Sequence, residues 1–106
     1  MIVRSVDAKR VEIFEGASRK TLAVGEKMMI VEFTFREGSV LPAHKHPNEQ
    51  VGYVVKGRLK LRIGEAEHDL EAGDSYYIEP NVEHSATIID DSKIIDVFCP
   101  PREDYR

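Results

Sequence analysis

Three histidines of this chain are spaced as metal ligands would be. His44 and His46 are separated by one residue, so on an extended chain both imidazoles point to the same face. His84 follows the turn-forming stretch 79–83, which delivers its side chain to the start of a new strand. Imidazole nitrogens are common ligands of divalent transition metals. We therefore predict a metal site here, and the alternative is that these are surface or hydrogen-bonded core histidines.

Gln50 and Gly52, which follow the histidine pair in the sequence, are expected to belong to the same site. Gln50 has the same parity as His44 and His46, although Pro47 interrupts the extended chain between them. Gly52 lies two residues further along the same face. Because glycine has no side chain, we expect Gly52 to leave open space beside the metal.

The fourth histidine and the lone cysteine are not expected to take part. His68 lies in the polar stretch Glu65–Asp69, and we predict that it is exposed and has no functional role. Cys99 lies outside the ligand pattern, next to Pro100, and we predict a packed, idle thiol.

A carboxylate near the end of the chain is a candidate catalytic group. Asp96 and Phe98 share one face of the apolar segment 94–98, where a carboxylate either meets solvent or points into a cavity. Two prolines then hold the chain extended and present Arg102 near the end of that strand. In the functional interpretation Asp96 is an acid/base group, Phe98 an apolar wall against a sugar ring, and Arg102 a clamp for a substrate carboxylate. In the alternative, Asp96 is solvated and Arg102 belongs to a polar tail.

The elements that must position these groups are predicted to be β-strands. Apolar and polar residues alternate with period two in Arg58–Ile63, and the other candidate strands are rich in Val, Ile, Phe and Tyr. These are 28–35, 51–55, 75–78 and 94–98, and 4–14 also suits a strand better than a helix. Turn signals separate them at 37–38, 56–57, 64–65, 73–74, 80–81 and 90–91. Many short strands in one 106-residue chain predict a single all-β domain, a sandwich or a barrel.

Charge and composition exclude several classes of partner. The chain has 15 Lys and Arg against 19 Asp and Glu, a net charge of −4, which disfavours nucleic acid and anionic membranes. The longest apolar run, Met28–Val31, is far shorter than the roughly 20 residues of a membrane span. Charged residues interrupt the N-terminal stretch, so we expect no signal peptide. With one cysteine, no internal disulfide is possible and a cytoplasmic location is expected.

The strand 51–55 is apolar on both faces. Val51, Tyr53 and Val55 lie opposite Gln50, Gly52 and Val54. One face can meet the core, and the other needs a cover. We predict that a second copy of the chain provides it in a homodimer, and the alternative is the N-terminal segment of the same chain.

The spacing of these residues resembles the two motifs of the cupin family. Residues 38–57 contain glycine, five residues, His44-x-His46, three residues, Gln50 and a glycine six residues later, and residues 73–84 resemble the second motif, which ends in His84. The resemblance implies a single-domain jelly-roll barrel that binds one divalent metal through His44, His46, Gln50 and His84. Nickel, zinc, iron and manganese all accept imidazole, so its identity stays open. Gln50 departs from the glutamate of many cupins, and this neutral donor leaves the full charge of the metal to attract anions and polarise oxygen.

The terminal segment is similar to that of one group of small cupins. Asp96-Val-Phe98-x-Pro-x-Arg102, together with the glutamine variant of the first motif, resembles the pectin-degradation (KdgF) family. The resemblance implies conversion of 4,5-unsaturated uronates, released by pectate and alginate lyases, into linear keto forms. It also implies catalytic roles for Asp96, Phe98 and Arg102 and a small acidic sugar as the substrate. The alternatives are another metal-dependent cupin enzyme, such as a dioxygenase or an isomerase, and a non-catalytic cupin that binds a small ligand.

Overall fold

Eight antiparallel β-strands carry almost all of the regular structure in a computed structural model that describes residues 1–106. Two single 3-10 turns, Ser5–Asp7 and Glu103–Tyr105, lie near the ends of the chain. The strands are β1 (Arg10–Phe14), β2 (Ala17–Val24), β3 (Met29–Phe35), β4 (Val40–His44), β5 (Glu49–Ile63), β6 (Ala66–Glu71), β7 (Ser75–Ile78) and β8 (His84–Cys99). The all-β prediction is therefore confirmed.

The two longest strands, β5 and β8, build a barrel from two layers. They pair with each other along nearly their whole lengths. The first half of β5 and the second half of β8 belong to a layer with the order β1-β2-β3-β8-β5-β7. Their other halves belong to a layer with the order β4-β8-β5-β6. This is the jelly-roll arrangement that the motifs implied.

Two predicted turns are wrong. The signals at 56–57 and 90–91 lie inside β5 and β8, where the register of the pair shifts instead of reversing the chain. Gly57 has a φ of +96°, and any Cβ there would collide with Ser92 and the Asp91 carbonyl. Such irregularities bend long strands and let them pass from one layer to the other. The other four predicted turns are confirmed, and Asn81 adopts a left-handed φ of 63°.

The core lies inside the barrel and follows the period-two pattern. Met29, Val31, Phe33 and Phe35 of β3 are buried, while the residues between them are partly exposed. They pack with inward side chains of β5 and β8: Val54, Leu59, Leu61, Ala86, Ile88, Ile94 and Phe98. The sequence analysis missed β2, β4 and β6. β6 is largely exposed and polar, so no apolar alternation marks it.

The outer face of β5 is apolar and open in the single chain. Val51, Tyr53 and Val55 are 50%, 49% and 44% exposed. These side chains are exposed in the single chain although the N-terminal segment is present, so the alternative that this segment covers the face is wrong. The homodimer stays a prediction.

The structure contains no helix with the length and apolar character of a membrane span.

Candidate metal centre and active site

Three of the four histidines converge inside one end of the barrel. His44 is the last residue of β4 and pairs in register with His84, the first residue of β8. His46 follows two residues after β4, and the Asn81 N–H donates to its carbonyl oxygen, which ties the two motifs together. One ring nitrogen from each histidine lies within 4.8 Å of the others. The predicted histidine cluster is therefore present, with His46 and His84 buried and His44 partly exposed.

Backbone carbonyls set the same tautomer in all three rings. The Nδ1 atoms of His44, His46 and His84 lie 3.2, 3.0 and 2.9 Å from the carbonyl oxygens of residues 42, 48 and 82. A carbonyl oxygen can only accept, so each Nδ1 carries the hydrogen and each Nε2 keeps a lone pair. Metal-bound histidines are held by outer hydrogen bonds of this kind.

The Nε2 atoms lack the partners that buried lone pairs need. His84 Nε2 is buried without any hydrogen-bond partner. His46 Nε2 lies 3.1 Å from Gln50 Oε1. An amide oxygen is always an acceptor, and Nε2 is an acceptor as well in this tautomer, so the two atoms cannot form a hydrogen bond. Lone pairs that face each other in a buried site fit a shared cation, so the donor set of three imidazoles and one amide oxygen fits a divalent transition metal.

Burial favours the neutral form of two histidines of the cluster, His46 and His84. It lowers the pKa of His84 to about 4, and burial followed by the nearby Arg102 charge lowers the pKa of His46. Metals bind only the unprotonated ring. These two rings are therefore ready to bind a metal at neutral pH.

The space above Gly52 is not free, contrary to the sequence-based expectation. A Cβ on Gly52 would collide with the ring and hydroxyl of Tyr76 and with Asp96 Oδ1. Gly52 therefore makes room for these two side chains and not for a metal.

Asp96 points into the barrel and is only 4% exposed. Burial raises the pKa of its carboxyl to about 6, although hydrogen bonds from Tyr76 and Gln50 oppose the rise. The Tyr76 hydroxyl donates to Asp96 Oδ1 over 2.6 Å. A carboxyl with a pKa near neutrality in a cavity can both accept and donate a proton. Of the two interpretations, burial in a cavity is the one that the structure supports.

Phe98 and Arg102 lie beside the histidine cluster. The Phe98 ring is 1% exposed and its centroid is 5.6 Å from that of His46. The Arg102 guanidinium stacks over the Phe98 ring at 5.3 Å and over the Tyr105 ring at 4.1 Å. Its Nε and Nη2 donate to the two oxygens of Asp104 over 3.3 and 2.9 Å. Arg102 is thus at the predicted place, but its fork already holds a carboxylate of its own chain.

One cavity of about 260 Å³ joins these groups. His44, Gln50, His84, Asp96 and Arg102 contribute polar atoms to its wall. The remainder of the wall is apolar and consists mainly of core side chains: Phe33, Phe35, Leu59, Leu61, Ile88, Ile94 and Phe98. The catalytic candidates and the metal-ligand candidates other than His46 therefore line the same cavity, and the His46 ring contacts Phe98 of its wall.

Sequence reasoning missed three residues that shape this site. Tyr76 holds Asp96, Tyr105 packs under Arg102, and Asn48 donates from Nδ2 to the Pro100 carbonyl over 2.6 Å. Tyr76 could have been suspected from Gly52, because a glycine in a strand signals close approach of other groups. The exposed position predicted for His68 is confirmed, and Cys99 is half-buried.

Comparisons with known proteins relate this site to a family. The model of the Cupin domain family matches residues 31–98. The structure is similar to that of KdgF from Halomonas sp., with a TM-score of 0.94, 28% identity and coverage of 100% of this chain and 98% of the other. An RmlC-like cupin from Shewanella frigidimarina matches with a TM-score of 0.94, 30% identity and coverage of 99% and 95%. The H2HPP isomerase of Bacillus subtilis is 36% identical over 67 residues, which are 61% of this chain but only 28% of that protein.

Proposed function

The chain belongs to the cupin family, and from this we propose that it is a metal-dependent enzyme that converts 4,5-unsaturated uronates into linear keto sugar acids. The observation that carries the proposal is one cavity lined by the buried Asp96 carboxyl, Arg102 and two histidines, His44 and His84, of the three-histidine cluster. The resemblance to the KdgF family is confirmed over the full chain. It supports this substrate class.

One divalent ion per chain would be held by His44, His46, His84 and Gln50. When bound, it would supply Lewis acidity to an oxygen of the substrate. Because all four donors are neutral, the positive charge would not be compensated by the ligands themselves and would favour an anionic substrate.

Asp96 is the group that we assign to proton transfer. Opening the ring neither adds nor removes atoms: the anomeric hydroxyl loses its proton, the bond from the anomeric carbon to the ring oxygen breaks, and an aldehyde and an enolate remain. One proton then goes to the alkene carbon next to the carbon that bears the enolate oxygen, and the enolate becomes a ketone. The carboxyl of Asp96, with a pKa of about 6 before a metal binds, suits both the removal and the delivery.

Arg102 and Phe98 bind the substrate in this proposal. The Arg102 fork already accommodates the Asp104 carboxylate, so its position suits a planar carboxylate. The substrate carboxylate would displace Asp104 from it. Phe98 offers an apolar surface to the sugar ring.

A second candidate is the isomerisation of a different small acid. The similarity to the H2HPP isomerase and the apolar far wall of the cavity favour it. A substrate with an apolar body would use that wall better than a sugar would. A proton-transfer isomerisation could also use the buried Asp96 carboxyl.

The test is an absorbance assay of the conjugated double bond with pectate-lyase products as substrate. We expect the absorbance to fall as the parent converts the substrate, and we expect this activity to be lost when a chelator removes the metal. Asp96→Asn should lower kcat by about 10²–10⁴-fold, since proton transfer is lost. Arg102→Ala should raise KM by about one to two orders of magnitude, because the carboxylate is bound in ground and transition states alike.

A pair of histidine variants provides the control for the metal. His84→Ala should lose most of the divalent ion in elemental analysis, whereas His68→Ala, at an exposed histidine, should keep both the ion and the activity. Full retention of the ion in His84→Ala contradicts the ligand set. A metal-loaded parent without activity on unsaturated uronates rules out this substrate class and favours the second candidate.

A further inference from the structure

Three residues on neighbouring strands form one row across the barrel wall. Gly52 of β5 pairs in register with Tyr76 of β7 on one side and with Asp96 of β8 on the other. Side chains in such a row point to the same face of the sheet, which here is the inner one. The middle position of the row therefore separates the tyrosine from the carboxylate.

The glycine in the middle lets the two outer side chains meet. A Cβ at position 52 would overlap the Tyr76 ring, its hydroxyl and Asp96 Oδ1. The φ of Gly52 is not in the left-handed region, so backbone conformation gives no reason for glycine at this position. What requires glycine is the volume that Tyr76 and Asp96 occupy.

The contact between the outer residues is directional. The Tyr76 hydroxyl donates to Asp96 Oδ1 over 2.6 Å, a short, charge-assisted distance for a phenol and a carboxylate. Tyr76 therefore engages Oδ1 and leaves Oδ2 available to the cavity that Asp96 lines, with Gln50 as a second hydrogen-bond donor to the carboxylate. A carboxylate held by one oxygen cannot turn freely about its terminal bond.

We propose that Tyr76 is the positioning residue of the active site: its hydroxyl holds Oδ1 of Asp96 across Gly52 so that Oδ2 exchanges the proton with the substrate. The part of the proposal that concerns the orientation of Asp96 depends only on the geometry of the row. The part that concerns proton exchange depends on the proposed function. The competing interpretation is that Tyr76 only fills space in the barrel wall.

The experiment compares Tyr76→Phe with Tyr77→Phe in the metal-loaded protein. Both changes remove one hydroxyl and keep the ring. Tyr77 is the matched control, because it is the next residue of β7, half-exposed on the outer face, and its hydroxyl donates to Glu49 and not to Asp96. Crystal structures of both variants show the orientation of the Asp96 carboxylate. Kinetics on the unsaturated uronate measure how far catalysis depends on that orientation.

For Tyr76→Phe we expect a rotated or doubly occupied Asp96 carboxylate, a kcat about 10- to 100-fold lower, and a KM within about twofold of the parent. Metal content should not change. Tyr77→Phe should match the parent in every measurement. In an Asp96→Asn background, Tyr76→Phe should cost nothing further, because a residue that acts only through Asp96 has no effect once Asp96 cannot transfer the proton.

Either of two results overturns the inference. One is a Tyr76→Phe structure in which Asp96 keeps its single parental orientation. The other is a kcat that is unchanged, or one that falls by the same factor in the parent and in the Asp96→Asn background, as a space-filling role predicts. If the parent itself does not act on unsaturated uronates, the proposed function fails, and the crystal structure of Tyr76→Phe by itself still decides whether Tyr76 positions Asp96.

Discussion

Two buried residues of the site have opposite pKa shifts, and both shifts have burial as their main cause. Burial raises the pKa of Asp96 from 3.8 to about 6 and lowers that of His84 from 6.5 to about 4, since each residue favours its neutral form inside the barrel. The Asp96 shift makes the folded state lose stability as the pH rises from about 4 to about 6. The His84 shift makes it gain stability as the pH rises from about 4 to about 6.5. In the metal-free protein the two effects oppose each other.

Replacing Asp96 should expose the histidine effect. In the presence of a chelator, Asp96→Asn should gain stability as the pH rises from about 4 to about 6.5. Above pH 6 it should exceed the parent by up to about 3 kcal/mol, because an amide keeps the hydrogen bond from Tyr76 without a buried charge. Urea denaturation at pH 4.5 and pH 7 measures this. Asp69→Asn, at an exposed position of β6, is the control and should follow the parent. An Asp96→Asn protein no more stable than the parent at pH 7 contradicts the burial argument.

Local spacing was enough to predict the histidine cluster and the inward-facing Asp96, but not the residues that contact them. His44, His46 and Asp96 follow from parity along a strand, which the sequence shows directly. The Tyr76 partner of Asp96 depends on how three strands align, and no single strand carries that information. The pairing of Arg102 with Asp104 likewise depends on the path of the chain after β8.

The C-terminal segment, residues 100–106, is the element that places Arg102. Arg19 of β2 donates to the carbonyl oxygens of Asp104 and Tyr105 over 3.3 and 3.2 Å. The Tyr105 ring lies between the Arg19 and Arg102 guanidinium groups, at 4.9 and 4.1 Å. It also meets the rings of Phe33 and Phe98 edge-on, each at 5.7 Å. The segment is thus fixed to the barrel wall by one arginine and an aromatic cluster.

Removal of Arg19 should loosen this segment. In Arg19→Ala the Asp104 carbonyl loses its donor, the Tyr105 carbonyl keeps only the Thr21 hydroxyl, and the Tyr105 ring loses one cation–π contact. The amides of residues 103–106 should therefore exchange hydrogen about tenfold faster. Hydrogen–deuterium exchange with mass spectrometry measures this. Arg10→Ala on β1, which removes an exposed arginine that bonds to Ser18, should leave the exchange unchanged. Equal exchange in Arg19→Ala and the parent means that the aromatic cluster holds the segment without Arg19.

The bends of β5 and β8 show why strand ends are hard to predict from local signals. Gly57 and the Asp90-Asp91 pair are residues typical of turns, and each was predicted to end a strand. In the fold they lie opposite each other, Lys56 pairing with Lys93 and Arg58 with Asp90, so the ladder continues past the irregularity. Whether such residues make a turn or a bulge depends on the partner strand.

At the scale of the whole molecule, one side of the barrel is apolar and uncovered. Val51, Tyr53, Val55 and Tyr77 are each 44–50% exposed, and Val51 pairs in register with Tyr77 and with Val97. The side chains therefore form a continuous patch across β7, β5 and β8. Contiguous apolar patches of this kind usually mark an interface. The local sequence pattern predicted this face, because both sets of alternating positions in residues 50–55 are largely apolar.

We expect this patch to join two copies of the chain in solution. In a two-fold dimer the same patch serves both copies, so one Lys introduced by Tyr53→Lys occurs twice in the interface and places like charges in an apolar contact. Sedimentation at micromolar concentration should therefore give about 24 kDa for the parent, twice the chain mass of 12.0 kDa, and one chain mass for Tyr53→Lys. Val40→Lys, at a 58% exposed position on β4 in the other layer, should remain a dimer. A parent that sediments as a single chain means that no second copy covers the patch, and a dimer lost equally in both variants places the interface elsewhere on the barrel.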